Sequence, residues 1–524
     1  MKNLFKQFNY VFALLFLVTA CHDDLDQSPI DPDSFTEENV FANANEAKGA
    51  LAKVYASLAL TGQAGPAGQP DLANIDEGFS QYSRMLFNLN ELTTDNAVVA
   101  WGDAGLQDLH GLYWTSSNDF TDAMYNRLAQ SVSFSNSFIE NATGLSDDIV
   151  TQYIAEARFI RAFAYYNLID LFGDVPLVTE IATTLPVQNS RQEIFNFVEA
   201  ELLEIQNQLA PSGSNEYGRV DEVAAWALLS KLYLNAEVWI GESLYDESVT
   251  FSNNVITSSY SINTTDANNN GSAYDELFLA DNDVNGAQNE FIFTLNFDGL
   301  NSQTYGGTTF LVHASIGGSM DPTIYGVNGG WGGLRTTSAL VNKMEPGDSR
   351  ALFFTDDQNL EIQDITSFSD GYAVTKFKNI KSDGTQGSDA SGEFVDTDLP
   401  LIRLSEIYLN YAEATLRGGN GSPSIALDVV NKLRERAYGD TSGNITTGDL
   451  TLDFILDERA RELYWEGQRR TDLVRYNYFT TNSYLWPFKG DVSQGTSVGD
   501  FRNLFPIPTN TILSNPNLQQ NPGY

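Results

Sequence analysis

Three aromatic side chains stand where an open ring face could do chemistry on a ligand. Trp101 lies in Val99-Ala-Trp-Gly-Asp-Ala-Gly105, Tyr305 in Thr304-Tyr-Gly-Gly307, and Trp331 in Asn328-Gly-Gly-Trp-Gly-Gly333. Flanking glycines offer a ring little side-chain surface to pack against, and they let a ligand come close to the backbone. One chemistry that suits such rings is stacking on a carbohydrate. The C–H faces of a pyranose are weakly apolar and stack on aromatic planes, while its hydroxyls need planar polar partners. Trp226, Trp239 and Trp465, by contrast, fall within helical patterns and read as core. A second group is Asp281-Asn-Asp283-Val-Asn285-Gly286. Oxygen ligands at the first, third and fifth positions before a turn glycine resemble the start of an EF-hand loop, so Asp281, Asp283 and Asn285 are a candidate site for a structural Ca2+. The twelfth position is Ile292, where an EF-hand has a bidentate Glu, and an Asx-rich turn is the alternative.

Catalysis finds less support. The chain has 69 Asp+Glu against 29 Lys+Arg, three His and one Cys, for a formal charge of −40. With so many acids a glycosidase-like carboxylate pair can always be drawn, and drawing it carries no information. Asp457 and Glu458, close to Arg459 and Arg461, read as ion pairs on a helix. Besides His22 the histidines are His110 and His313, and no nucleophile elbow lies near His313. One Cys excludes an internal disulfide, and this His/Cys count can hardly supply a zinc or iron–sulfur site. The acid excess opposes nucleic-acid binding, which depends on Lys and Arg neutralising phosphates. Disorder is opposed by 42% hydrophobic and 12% aromatic residues, enough for a large core. These counts give catalysis no specific signal.

The N-terminus points to a compartment. Lys2 and Lys6 precede the apolar run Val11 to Ala20, which is too short to stay in a bilayer as a spanning helix. Val18-Thr-Ala-Cys21 resembles a bacterial lipobox. It predicts a signal peptide over 1–20, lipidation at Cys21, and an acidic tether over 21–40 that begins His22-Asp-Asp-Leu-Asp26. That acidic start resembles the tag that sends lipoproteins to the outer face of an outer membrane. Several acyl chains on one residue anchor stably, unlike a single one.

The elements that must position the loops are helices. Ile149–Phe172 keeps apolar residues at three- and four-residue spacing and stops at Gly173-Asp-Val-Pro176; Val220–Val238 shows the same pattern. Further helices are predicted at Leu401–Leu416, Ile425–Ala437 and Leu452–Tyr476. Paired helices with small residues at close approaches and aromatics in the gaps suit tetratricopeptide-like repeats. The expected architecture is mainly α: one domain over 41–524, with a helical repeat body over about 41–240 and 396–480. A large Gly/Asn/Ser/Asp-rich, loop-dominated insertion over about 241–395 would carry the binding residues.

Several stretches, in order along essentially the whole chain, resemble the SusD/RagB family of surface glycan-binding lipoproteins. They are the helix from Ala155 to Leu177, the run Asp457-Glu-Arg-Ala-Arg-Glu-Leu-Tyr-Trp-Glu-Gly-Gln-Arg-Arg-Thr-Asp-Leu-Val-Arg-Tyr476, Phe505-Pro-Ile-Pro508 and Asn521-Pro-Gly-Tyr524. Ser28-Pro-Ile-Asp-Pro32, Asp76-Glu-Gly78, Tyr305-Gly-Gly307 and Thr480-Thr-Asn-Ser-Tyr-Leu-Trp486 look closest to the family's starch-binding member. The resemblance implies a tetratricopeptide fold, no catalysis, an α-1,4-glucan ligand, and a lid-like position on a SusC-like TonB-dependent outer-membrane transporter. It also implies that Trp101, Tyr305 and Trp331 form an arc cupping a helical glucan, with Arg84 and Asp76 reaching sugar hydroxyls. The asparagine expected just after the first tryptophan is absent, and Asp103 is the acceptor that stands near its place. A β-1,3-glucan such as laminarin is the rival ligand, and a surface glycoside hydrolase the rival from another class.

Overall fold

The computed structural model describes residues 37–524 except residue 74. The expected signal peptide, Cys21 and the tether as far as residue 36 therefore lie outside the described residues. The end of that tether is already helical at Glu37–Val40.

The repeat body is a stack of helices, each packed on the next. They are α1 (Ala44–Ala59), α2 (Tyr82–Asn90), α3 (Asp119–Ala142), α4 (Asp148–Leu171), α5 (Arg191–Ile205), α6 (Glu222–Leu234) and α7 (Tyr245–Ile256). α3 packs on α4, α4 on α5, α5 on α6 and α6 on α7. Local chemistry sets the ends. The Asp221 carboxylate caps α6 by accepting from Val223 N and Ala224 N, and Ser190 with Glu193 forms a reciprocal capping box on α5. α4 closes at Gly173, whose φ of +74° only glycine adopts without strain. The middle of α4 is buried nearly all round, Ala155, Ala157, Ala162 and Ala164 alternating with Phe159, Ile160 and Phe163, which is what a central helix of a stack requires.

The helical body runs further than the expected edge near residue 240. α7 lies inside the segment read as insertion and joins the stack, because its buried face (Ser248, Val249, Ser252, Val255) fits α6; Ser252 Oγ lies 2.7 Å from Ser230 Oγ. The other side of α7 receives a helix from 150 residues downstream in sequence, α9 (Leu404–Leu416), introduced below with its neighbours. The chain thus leaves the stack after Ile256 and rejoins it at Leu404. Between lie short strands and the helix α8 (Gly307–Ala314). Strand β1 (Val98–Val99) pairs antiparallel with β3 (Leu334–Arg335), and β2 (Phe291–Leu295) with β4 (Leu399–Arg403). β2 is buried throughout, and its Phe293 ring meets Phe159 and Phe163 of α4 edge-on at 5.4 and 5.2 Å. After β4 come α9, α10 (Pro423–Tyr438), α11 (Leu452–Leu463) and α12 (Arg469–Arg475).

The single helix expected over Leu452–Tyr476 is broken. Tyr464 to Gln468 form a turn in which Trp465 takes φ +66°, a conformation unfavourable for a bulky residue unless its surroundings impose it. Here they do. Its indole N–H donates to Asn96 O at 3.0 Å, the buried Glu91 carboxylate accepts from Gln468 N, and the turn swings Glu466 onto Arg403 and Lys376, both at 2.7 Å.

That turn belongs to a buried ionic cluster. Arg350, Lys376, Arg403, Arg434, Arg436 and Arg461 meet Glu290, Glu345, Asp348, Glu458, Glu462 and Glu466, all but Glu345 buried. The sequence reading placed Glu458 in ion pairs with nearby helix arginines, and Arg461 is indeed a partner at 2.7 Å; Asp457 instead reaches Lys343 at 2.6 Å. Burial alone would raise the Glu458 pKa, but Arg350, Arg461 and Arg434 outweigh it and hold it at about 2. Glu462 is held down in the same way by Arg436, Arg403 and Arg350. Arg403→Met would take a shared cation from three buried carboxylates, and we expect it to lower the unfolding free energy by about 3–5 kcal/mol in urea titrations. Because these folded-state pKa values lie below the unfolded value of about 4.3, their stabilisation is present above that pH and is lost as pH falls through about 4 to 2. Circular dichroism should show cooperative unfolding in that window.

Candidate glycan-binding surface

The site assembles where the β1–β3 ribbon meets α8. Trp101 follows β1, and the preceding Ala100 N donates to Gly333 O at 2.9 Å, extending the ribbon to the loop that carries Trp331. That loop is pinned to the end of α8 through three backbone bonds: Trp331 N to His313 O (2.7 Å), Gly332 N to Ile316 O (2.8 Å) and Gly333 N to Ala314 O (2.9 Å). Tyr305 stands two residues before α8. α8 in turn rests on α2, where Phe87 meets Phe310 on one side (5.7 Å) and Trp465 on the other (5.1 Å). The unusual turn at Trp465 is therefore linked to the platform through two rings, Phe87 and Phe310, the second of which meets Trp101 at 6.2 Å.

The structure brings the three predicted rings together. Trp331 is central, 6.4 Å from Trp101 and 6.4 Å from Tyr305 between centroids, with the planes tilted by 46° and 53°. All three are half-buried. The rear of Trp331 is covered by His313, stacked at 4.9 Å and 18°, so the opposite face is the one left to a ligand. Trp101 donates Nε1–H to Trp331 O at 3.0 Å, and Tyr305 donates its hydroxyl to the Glu393 carboxylate and packs on Phe394 at 5.3 Å.

One glycine acts differently from the expectation that it admits a ligand. A Cβ on Gly333 would fall 2.2 Å from Trp101 Cε2, so Gly333 exists to let the Trp101 ring lie against the neighbouring loop.

The polar residues gather at the Tyr305 end. Arg84 Nη1 donates to Gly78 O (2.7 Å) and Tyr305 O (3.2 Å), and its guanidinium lies 4.5 Å from the Phe310 ring. Burial lowers its pKa to about 10, against the opposing charges of Asp76, Asp103 and Glu77, which places both predicted acids in its field. Asp76 and Asp103 are exposed, and Asp76 also accepts from Gly78 N at 2.9 Å. Arg84 is thus first a support for the Tyr305 backbone. His313, Glu393, Phe310 and Phe394 were not singled out as part of the site; nothing local marks them, since each acts through a partner far away in the chain.

Two of the three calcium candidates are engaged in hydrogen bonds within the fold. The Asp281 carboxylate accepts from Ser382 N (2.9 Å) and Ser382 Oγ (2.6 Å), whereas Asn285 donates to Glu276 O and its carboxylate and accepts from Ala287 N. Among the described residues no three or more His, Cys, Asp or Glu are disposed to hold a metal ion. These bonds tie the segment to Ser382 and Glu276, while Asp283 lies in the fields of Asp281 and Asp396.

A helical repeat body that presents an aromatic arc with polar groups at one end defines a class: carbohydrate-binding proteins without catalytic machinery. Comparison with known proteins agrees. Residues 352–524 match the SusD family model, and residues 70–234 match a model described as starch-binding associating with outer membrane. The Starch-binding protein SusD of Bacteroides thetaiotaomicron is 35% identical over 97% of this chain and 96% of its own length. SusD-like protein P2 of Formosa agariphila is 24% identical over 99% of this chain and 100% of its own length. Among solved structures, a SusD superfamily protein from Parabacteroides distasonis superposes with a TM-score of 0.72 at 23% identity, covering 94% of this chain and all of that one. Surface glycan-binding protein A from Bacteroides fluxus superposes with a TM-score of 0.71 at 22% identity, covering 92% of this chain and all of that one. The chain belongs to the SusD family: it is a non-catalytic, glycan-binding protein associated with the outer membrane.

Two substitutions separate platform from scaffold. Trp331→Ala should weaken glycan binding about tenfold or more in affinity gels with little change in Tm, because an open ring face is removed from a loop held by backbone bonds. Gly333→Ala should cost binding comparably by displacing Trp101. Excess chelator should leave the Tm unchanged.

Proposed function

We propose that this protein captures α-1,4-linked glucan, starch or maltooligosaccharide, at the cell surface and passes it uncleaved to a SusC-like TonB-dependent transporter, while lipid on Cys21 holds it to the outer membrane. The curvature of the platform carries the choice of ligand. Neighbouring rings are tilted by 46° and 53°, so the platform is not the flat face that a straight β-1,4 ribbon would need, and it suits a chain whose sugars turn steadily. The likeness to the starch-binding relative supports the same choice. The arc also fits the helical chain of a β-1,3-glucan, and Asp103 in place of an asparagine at the Trp101 loop keeps that reading as the second one.

Affinity electrophoresis in gels cast with amylopectin, with laminarin or with no polysaccharide distinguishes the two. We expect strong retardation by amylopectin and little by laminarin; an unretarded band in amylopectin overturns the α-glucan reading. Co-purification of a TonB-dependent transporter with the tagged full-length chain tests the partner, and its loss on Cys21→Ala would tie the complex to the anchor.

A further inference from the structure

His313 lies behind Trp331 and touches both the loop that carries that ring and the segment that holds Tyr305. Its imidazole is flat against the rear of Trp331. Nδ1 is 2.7 Å from Gly329 O, on the loop that carries Trp331. Nε2 is 3.0 Å from Glu393 O, and the carboxylate of that same Glu393 accepts the Tyr305 hydroxyl. Both contacts are to carbonyl oxygens, which accept hydrogen bonds and cannot donate them. A neutral imidazole has one N–H and one lone pair, whereas the imidazolium has two N–H groups. The neutral ring can therefore hold one of the two segments while its lone pair faces the carbonyl of the other. The cation holds both.

We propose that His313 is a positioning residue whose protonation clamps the Trp331 loop and the Glu393–Tyr305 pair together, so that glycan binding tightens as the medium acidifies. This rests on the glycan-binding reading of the arc. The charged group acting on the imidazole is Glu393. On the same segment Asp389 is occupied in capping its own loop through Ser391, Glu393 N and Phe394 N. The 328–333 loop carries no ionisable side chain and α8 none besides His313. Arg84 of α2 lies on Phe310, its charge facing Asp76, Asp103 and Glu77. Burial lowers the His313 pKa from its usual 6.5, and the two carbonyls and Glu393 oppose that effect without cancelling it. The ring is thus neutral in slightly alkaline medium and takes up its second proton below pH 6.5.

The test is isothermal titration of the full-length chain with maltoheptaose near pH 5 and near pH 7.5 at constant ionic strength, repeated on His313→Gln, whose amide stays neutral. We expect the wild type to bind about 2- to 10-fold more tightly near pH 5, the worth of one hydrogen bond, and the variant to show no such change. Glu91, Glu276 and Asp398, each pushed up to about 7 chiefly by burial, titrate in the same range and remain in the variant. A pH dependence that survives in His313→Gln therefore belongs to them and overturns the proposal. So does a wild-type affinity that is flat, or that falls in acid because the cation draws electron density from the Trp331 ring. Absence of binding at both pH values overturns the reading on which the proposal rests. A second readout needs neither ligand nor the Gln variant. Tryptophan emission of the free protein should be quenched on acidification with a midpoint below pH 6.5, and Trp331→Phe should abolish that step; a wild type without the step overturns the clamp.

Discussion

The burial of eleven charges in one connected cluster is the constraint on which the rest of this structure depends. Each ion taken out of water costs several kcal/mol, and only the simultaneous arrival of its partners offsets that cost. The partners come from separate parts of the chain: Glu290 from the edge of β2, Arg350 and Lys376 from the insertion, Arg403 from the end of β4, Arg434 and Arg436 from α10, and Glu458, Glu462 and Glu466 from α11 and its terminal turn. Arg403 alone bonds Glu290, Glu462 and Glu466. The insertion consequently has one register on the helices, since a shift of one residue in β4 would leave guanidinium and carboxylate bare. Through the Trp465 turn and Phe87 the same constraint reaches α8, and with it the aromatic platform.

The aromatic platform is held rigidly. Its rings ride on loops, yet those loops are tied by backbone bonds to a buried helix, and Trp101 is locked to the Trp331 carbonyl. An aromatic face that is already oriented loses little freedom when a sugar stacks on it, so more of the contact appears as affinity. Gly333 contributes through the space it leaves for a protein ring.

What could be read in the sequence depended on how local its cause was. Helix α4 was legible because its apolar spacing and its Gly173 stop lie within thirty or so residues of one another. Trp101, Tyr305 and Trp331 were legible because glycine neighbours leave a ring without local packing, and the structure brings all three into one arc. The break at Trp465 was hidden, since Asn96 and Glu91, which impose it, lie nearly 370 residues earlier. α7 read as insertion because its Ser- and Asn-rich sequence hides a small-residue face that makes sense only against α6. For the Asp281 pattern, spacing alone does not distinguish oxygens that converge on a cation from oxygens that cap turns.

The arginine cluster also changes what the protein shows to the medium. Of the 29 Lys and Arg in the chain, 15 are buried in the folded state. Half of the cations are thus withdrawn into the interior, and the exterior of the described residues is predominantly anionic. Such a coat ignores uncharged chains and repels acidic ones, such as uronate or sulfated polymers, over roughly the 8 Å Debye length of physiological salt. In a mixture of plant and algal polysaccharides, an uncharged polymer would reach the rings without an electrostatic barrier, while polyanions would be turned away before any hydroxyl is read.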